Sequence, residues 1–399
     1  MPWVAAPSAT SNHWWQVRGS MSESFTGVLD AALDEDVRKL ADQAEATGRF
    51  PKELIRMIAE RGVYAAKWGT DTRPDVAKVV TLASRLGTMG SLPVAAGAGV
   101  QDSCIAVLRR FGGTDYLHDL TDKGIRGETV FCIAGTEHGS GSDLAHAESQ
   151  CVREGSGYRL TGSKKFVSLA PIADVALVLV RDGDTRAVSP HAAMFAVPTG
   201  QLEIGRPHAL VGNTCLNTSP LRFDTWVPAE AMIARPGLGS AAMNWGLAHE
   251  RLCIAGHIVA VCEAAIGLTA ARMRRRTQSG SSLFEHQALR LRLADLMARV
   301  KIMRLALLGV STAGEGLDLR TAAGLKVSAA RLGEEVLSEC MHIFGGVGYL
   351  SRQSPISRWW RDMKLARVAA GADEVLWELV AVGIVADDDA YDRLMADED

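Results

Sequence analysis

The chain has 399 residues, 47% hydrophobic and 22% charged, which suits two or three packed globular units and excludes intrinsic disorder. Its formal net charge of -3 gives no reason to expect nucleic acid or an anionic membrane as a partner, and no run approaches the eighteen or so unbroken apolar residues of a spanning helix. The seven cysteines (Cys104, Cys132, Cys151, Cys215, Cys253, Cys262, Cys340) are odd in number, scattered and without a C-x-x-C pair, a pattern of reduced thiols in a cytoplasmic protein that speaks against a metal site.

Residues 1–20 carry three tryptophans but no basic segment followed by an apolar one, so they are no secretory signal and are expected to lie outside the fold, with Met21 as the natural start. The next block, 21–127, reads as a helical domain. Leu33, Val37, Leu40 and Ala41 recur at helical spacing behind the acidic first turn Asp34-Glu35-Asp36. Pro51 opens a second helix, with Leu54, Ile55, Ile58 and Ala59 as its buried stripe. Asp75–Leu86 and Val100–Phe111 predict two more, the last stopped by Gly112-Gly113.

Near Gly127 the hydrophobic period changes from 3.6 to 2. Thr129–Ala134, Glu148–Arg153, Tyr158–Thr161, Phe166–Leu169, Val175–Val180, Ala192–Val197 and Leu221–Phe223 are short β runs, separated by good turn sequences such as Glu154-Gly155-Ser156-Gly157. They predict a β-barrel or sandwich over 128–236. Long amphipathic helices follow over 237–399: Trp245–Arg276, Gln287–Ala313, Ala322–Phe344 and Ala372–Ala386, which predict a four-helix bundle. The fold class is therefore α+β and multidomain: N-terminal helical domain, central β-barrel or sandwich, C-terminal four-helix bundle.

The most informative stretch runs from Phe131 to Ser168. An apolar run breaks into Gly135-Thr136-Glu137-His138-Gly139-Ser140-Gly141-Ser142-Asp143-Leu144 and returns through Gly162-Ser163-Lys164-Lys165-Phe166-Val167-Ser168. Glycines let the backbone approach a flat ligand or a phosphate, and Thr136, Ser140 and Ser142 offer hydroxyls to a polar ring edge. Taken alone, such a loop is equally well an ordinary connection.

Thr136–Leu144 resembles the T-E-P-G-[AS]-G-S-D signature of the acyl-CoA dehydrogenase flavoproteins, with His138 in place of the proline. Gly162–Ser168 resembles that family's G-x-K-x-[WF]-[IV]-[TS] strand, Phe344-Gly345-Gly346-Val347-Gly348-Tyr349 its F-G-G-x-G-[YF], and Arg361-Asp362-Met363-Lys364 its R-D-A-K. The likeness covers nearly the whole chain from Met21 onward, and four such matches in order make a specific signal.

This resemblance implies FAD as cofactor. Thr136, Ser142, Phe166 and Ser168 would line the isoalloxazine ring, Ser168 near N5, with Ile133, Gly135 and Gly141 in the same site. Arg276 would contact the pyrophosphate of a neighbouring subunit's FAD, and Gln287, His342, Gly345 and Gly346 are the other contacts implied at the cofactor. Ser279 and His342 depart from the aromatic and the glutamine that are common at those places.

In many members the base that removes the α-proton is a glutamate before the glycine of a C-terminal E-G-T. Here Ala370 precedes Gly371, so that carboxylate is missing. A second branch, including isovaleryl-CoA and carrier-bound prolyl dehydrogenases, keeps the base in an E-R-L on the first bundle helix. His249-Glu250-Arg251-Leu252 matches it and implies Glu250 as base. The backbone N–H of Ala370 would donate to the thioester oxygen, and Ser142, Arg251 and Gly371 would bind substrate. Asp373 and Glu374 are the competing carboxylates, and capping of a helix start explains them.

Leu216–Asp224 resembles the L-R-T-S-P form of members acting on carrier-protein substrates, in secondary metabolism. The expected partners are an acyl thioester on coenzyme A or a carrier protein, an electron-transfer flavoprotein or oxygen as acceptor, and further copies of the chain in a homotetramer or homodimer. Two alternatives stay open: a flavin-dependent monooxygenase on the same scaffold, and a non-catalytic relative without FAD.

Overall fold

A computed structural model describes residues 23–141, 147–183, 191–312, 316–350 and 354–395. The proposed extension 1–20 and Ser142 lie outside the described residues. The first block holds α1 (Glu23–Ala32), α2 (Glu35–Thr47), α3 (Lys52–Glu60), α4 (Val63–Trp68), α5 (Val76–Gly87), α6 (Leu92–Phe111) and α7 (Asp115–Ile125). Asp34 caps α2 by accepting from the amides of Asp36 and Val37, and Gly48, at φ 65°, ends it. Pro51 is the residue before α3, not its first.

Helix α6 begins at Leu92 instead of Val100. Pro93 sits in its first turn, where a missing N–H costs nothing, and Ser91 caps it. The glycines that hid the helix are there for packing. A Cβ at Gly97 would fall 2.2 Å from the Phe50 ring, and one at Gly99 would touch Cys253 and His257.

Among the described residues eight strands follow: β1 (Phe131–Ala134), β2 (Gln150–Glu154), β3 (Gly157–Val167), β4 (Val175–Asp182), β5 (Ala192–Pro198), β6 (Glu203–Ile204), β7 (Ser219–Pro228) and β8 (Met232–Ala234). They form one mixed sheet in the order β6-β7-β3-β2-β4-β5-β8, with β1 running parallel to β4. The two runs expected at Tyr158 and Phe166 are a single strand, β3, whose register against β7 shifts between Lys164 and Val167. That irregularity turns Phe166 outward, 51% exposed, while Lys164 and Val167 stay buried.

The C-terminal part comprises α8 (Gly239–Arg275), α9 (Gln287–Thr312), α10 (Leu319–Phe344), α11 (Gly346–Tyr349), α12 (Ile356–Met363), α13 (Asp373–Ala381) and α14 (Asp388–Leu394). Helix α8 is about 55 Å long and packs against α5 and α6 on one side and α9 and α10 on the other. It contains a window as apolar as a spanning helix, but 72% of that window is buried inside the protein. The two large hydrophobic cores meet along it: Ala242 and Met243 belong to one, Leu252, Ile258 and Ile266 to the other.

Candidate active site

Glu250 stands in the fourth turn of α8, in the N-terminal third of the helix. Gly246, one turn earlier, lies so close to β1 that a Cβ there would sit 3.5 Å from Ile133. Ile133 leads directly into the Gly135–Gly141 loop, so the candidate base and the candidate flavin loop share one wall. Glu250 is half-buried, and no hydrogen bond or ion pair engages its carboxylate among the described residues. Burial pushes that carboxyl up to about 7, against the pull of the Arg251 and Lys326 cations. An unpaired carboxylate titrating near neutrality is what a general base requires.

The next residue ties this turn of α8 to the C-terminal segment. Arg251, only 4% exposed, donates from Nε to the carbonyl of Ala370 at 2.9 Å. The Lys326 ammonium donates to the adjacent Gly371 carbonyl at 2.7 Å. Ala370 has φ 54° and Gly371 φ 109°, left-handed values that are unusual for alanine. No acceptor within the described residues takes the Ala370 or Gly371 amide. Arg251, Ala370 and Gly371 are thereby brought together, and the Glu250 carboxyl, at the preceding position of α8, feels the charge of the same Lys326. Asp373 does not cap α13: it is buried and paired with Arg367 at 2.5 Å, while Glu374 is exposed.

The loop beside them is stapled from inside. Glu137 accepts from the amides of Glu148 and Ser149 and pairs with the Lys164 ammonium at 2.5 Å, with both side chains buried. Burial alone would raise the Glu137 carboxyl, but Lys164 and these donors hold it below its ordinary value. Lys164 also reaches the Gly135 carbonyl at 3.1 Å, and the Lys165 amide donates to the Thr136 carbonyl at 2.9 Å. A Cβ at Gly141 would contact the Thr136 methyl at 3.9 Å, so the loop folds back on itself. Phe166 packs one ring edge on His208 at 5.2 Å between centroids, and Ser168 Oγ lies 3.1 Å from Thr218 Oγ1. Leu169, buried with φ 65°, fixes the turn after Ser168.

The remaining implied cofactor residues lie elsewhere. Arg276 is 26 positions beyond Glu250, about 39 Å along the helix axis. It is exposed and makes no side-chain ion pair among the described residues. Arg272 donates to the Phe344 carbonyl at 3.2 Å, which brings the end of α8 beside the end of α10. Arg276, Gln287, His342, Gly345 and Gly346 therefore share an exposed region at the far end, where added Cβ atoms at Gly345 and Gly346 would meet nothing within 4 Å. Within one chain the two groups do not meet.

Several participants had no expectation attached to them. Lys67, Asp102 and His249 form a wholly buried cluster, with Trp68 Nε1 donating to Asp102 at 2.8 Å and Ser103 Oγ 3.1 Å from His249 Nδ1. Asp102, His249 and Cys253 bring metal-ligating atoms within 4.8 Å of one another. The Lys67 ammonium, bonded to both Asp102 and His249, supplies the positive charge there instead. Asp362 of the R-D-M-K segment is structural as well, accepting the Asn213 amide at 2.5 Å.

The features around Phe166 fit a flat polar ring system. An aromatic face is turned outward, a glycine loop allows close approach, and the hydroxyl of buried Ser140 has no hydrogen-bond partner among the described residues. At the far end, an unpaired arginine beside two glycines fits a phosphate.

Comparison with known proteins gives the following. The family described as acyl-CoA dehydrogenase, middle domain, matches residues 132–226, and acyl-CoA dehydrogenase, C-terminal domain, matches residues 237–385. The acyl-[acyl-carrier-protein] dehydrogenase MbtN of Mycobacterium bovis is 53% identical over 375 residues, covering 94% of this chain and 97% of its own. Among solved structures, acyl-CoA dehydrogenase from Geobacillus kaustophilus is similar with TM-score 0.83 at 24% identity, over 91% of this chain and 98% of its own. PigA, solved as an FAD complex, is similar with TM-score 0.81 at 20% identity, over 91% and 98%.

Proposed function

The chain belongs to the acyl-CoA dehydrogenase family, an enzyme of the acyl-CoA and acyl-carrier-protein dehydrogenase kind, and on that premise we propose that it desaturates an acyl thioester borne by a carrier protein, with Glu250 as base and FAD as cofactor. The carrier is taken from MbtN, whose name specifies it and whose likeness spans almost the whole chain. The Leu216–Asp224 resemblance leans the same way.

Thr136, Gly141, Phe166 and Ser168 would hold the flavin ring. FAD bound there supplies an acceptor at N5 for the hydride leaving the β-carbon. The carboxylate of Glu250 removes the α-proton, and the N–H of Ala370 donates to the thioester oxygen where negative charge builds. Burial around Glu250 strengthens it as a base by raising its pKa toward the working pH. Loss of one proton to Glu250, with one hydride passing to FAD where it is bound, would leave a C=C bond. An electron-transfer flavoprotein or oxygen would then reoxidise the enzyme.

The separation along α8 supports sharing of each FAD between copies, with Arg276 and Gly345-Gly346 reaching a neighbour's cofactor. Exposed Leu291, Ile302 and Leu305 on α9, and Val382, Ile384 and Val385 beyond α13, supply apolar surface for a homodimer or homotetramer. A division of the chain near residues 127 and 236 belongs to the same reading.

The observation that carries it is the unpaired carboxylate of Glu250, raised by burial and within the field of the Lys326 ammonium that holds the Gly371 carbonyl. Anaerobic mixing of the FAD-loaded enzyme with acyl carrier-protein thioesters tests it. Wild type should bleach its flavin, and Glu250→Gln should bind FAD and thioester but fail to bleach. Bleaching of the variant at the wild-type rate would remove Glu250 from the role.

A further inference from the structure

We propose that Lys326 is a positioning residue for this reaction: with Arg251 it clamps the two consecutive carbonyls of Ala370 and Gly371 so that the amides of that turn face the thioester oxygen. The inference rests on the proposed function and extends it to a residue on a different helix, α10.

Lys326 lies on the buried stripe of α10, among Ala322, Ala323, Val327 and Ala330. An ammonium is costly there unless it is fully engaged. It is engaged by the Gly371 carbonyl at 2.7 Å and faces the Asp373 carboxylate at 3.9 Å, itself fixed by Arg367. From the other side Arg251 Nε holds the Ala370 carbonyl at 2.9 Å.

Pinning both carbonyls fixes the two peptide planes that follow Ala370, and the left-handed φ of Ala370 fixes the plane before them. In a peptide plane the N–H points opposite to the C=O. With the Ala370 carbonyl turned toward Arg251, the Gly371 N–H is turned away from it. Two carbonyl dipoles that would oppose a developing enolate thus point into buried cations, and the amides keep no acceptor among the described residues. A lysine serving only the core would be replaceable by a side chain of equal length and no charge.

The test uses FAD-loaded Lys326→Met and Lys326→Arg with butyryl, octanoyl and palmitoyl carrier-protein thioesters. The second readout is infrared: the carbonyl stretch of bound trans-2-octenoyl thioester, labelled with carbon-13 at that carbon. Lys326→Met should slow flavin bleaching about a hundredfold, the size of a lost oxyanion donor. Thioester binding should stay within a few-fold, and the stretch should move back toward its value in solution. Lys326→Arg should restore most of both. A Lys326→Met enzyme with wild-type bleaching and an unmoved stretch overturns the clamp.

Where Lys326→Met does not hold FAD, Lys326→Gln carries the same comparison, and equality with wild type in rate and stretch overturns the clamp there too. Glu250→Gln separates the two layers. An active Glu250→Gln overturns the proposed chemistry, whereas an inactive one beside a wild-type-like Lys326→Met overturns the clamp alone.

Discussion

The ammonium of Lys67 lies 2.8 Å from Nε2 of His249, and this contact faces away from Glu250, the next residue along the helix. Successive helical side chains point about 100° apart, so His249 turns into the N-terminal core while Glu250 turns to the site. Burial, then the Lys67 charge, lowers the His249 pKa and keeps the ring neutral. Burial alone would raise the Asp102 carboxyl, but the Lys67 ammonium holds it well below the usual carboxylate range.

Removing Lys67 would strand Asp102 without its cation. We expect Lys67→Met to lose about 3–5 kcal/mol of stability, read as a shifted urea midpoint with an unchanged slope. A loss within 1 kcal/mol or so of wild type would contradict a paired buried charge here.

As the proposed base, Glu250 would have to be ionised to act. With its carboxyl near 7, flavin bleaching should rise with pH through about 7 and level off above it. The charged or titratable groups facing it are Arg251 on its own helix, Lys326 on α10, Cys104 on α6 and Cys253 one turn along α8. Stopped-flow absorbance across pH 5.5–9 (a range chosen about that value) gives the limb directly. A flat profile would exclude a carboxyl of this kind.

The same shift has a stability consequence. Between the ordinary value of 4.5 and about 7, folded Glu250 keeps a proton that the unfolded chain has lost, so stability falls as pH rises across that window. Glu250→Gln removes the loss and should be more stable than wild type at pH 8 by at most about 3 kcal/mol, less to the extent that solvent screens the half-exposed carboxyl. Chemical denaturation at pH 5 and pH 8 shows whether the gain grows with pH.

Phe166 is the exposed aromatic that β3 turns outward. Phe166→Ala should weaken FAD binding about tenfold, the scale of one aromatic contact, with little change in thermal unfolding of the FAD-free chain. Titration of flavin fluorescence measures it. Lys164→Met should act differently. By stranding Glu137 in the loop core it should lower both the stability of the FAD-free protein and its capacity to retain flavin.

Much of this was legible from the residues in order. Helical spacing, then alternation, then long apolar stripes marked the three kinds of structure, and the Gly135-Thr136 end of the glycine loop is hydrogen-bonded to Lys164 and Lys165 of the second segment. What stayed hidden was long-range. Lys326 sits on an apolar stripe that any helical wheel displays, but its partner carbonyl is 45 residues away. The outward turn of Phe166 depends on a register shift against β7 that no local signal announces. The helix predicted from Val100 extends back to Leu92, and the small residues Gly97 and Gly99 there answer to the ring of Phe50 and the flank of α8, which are far off in the chain. Asp373 looked like a cap and is an ion-pair partner, since Arg367 folds back over the start of α13.

On the proposed sharing of FAD between copies, the length of α8 would put the two ends of one chain to work in different molecules. Two crippled proteins would then rescue each other. A Glu250→Gln chain keeps a sound far end, and an Arg276→Ala chain keeps a sound base. Refolded together they should form hybrids in which one site inherits both defects and the other inherits neither, so that a mixture of inactive parents regains a fraction of wild-type turnover.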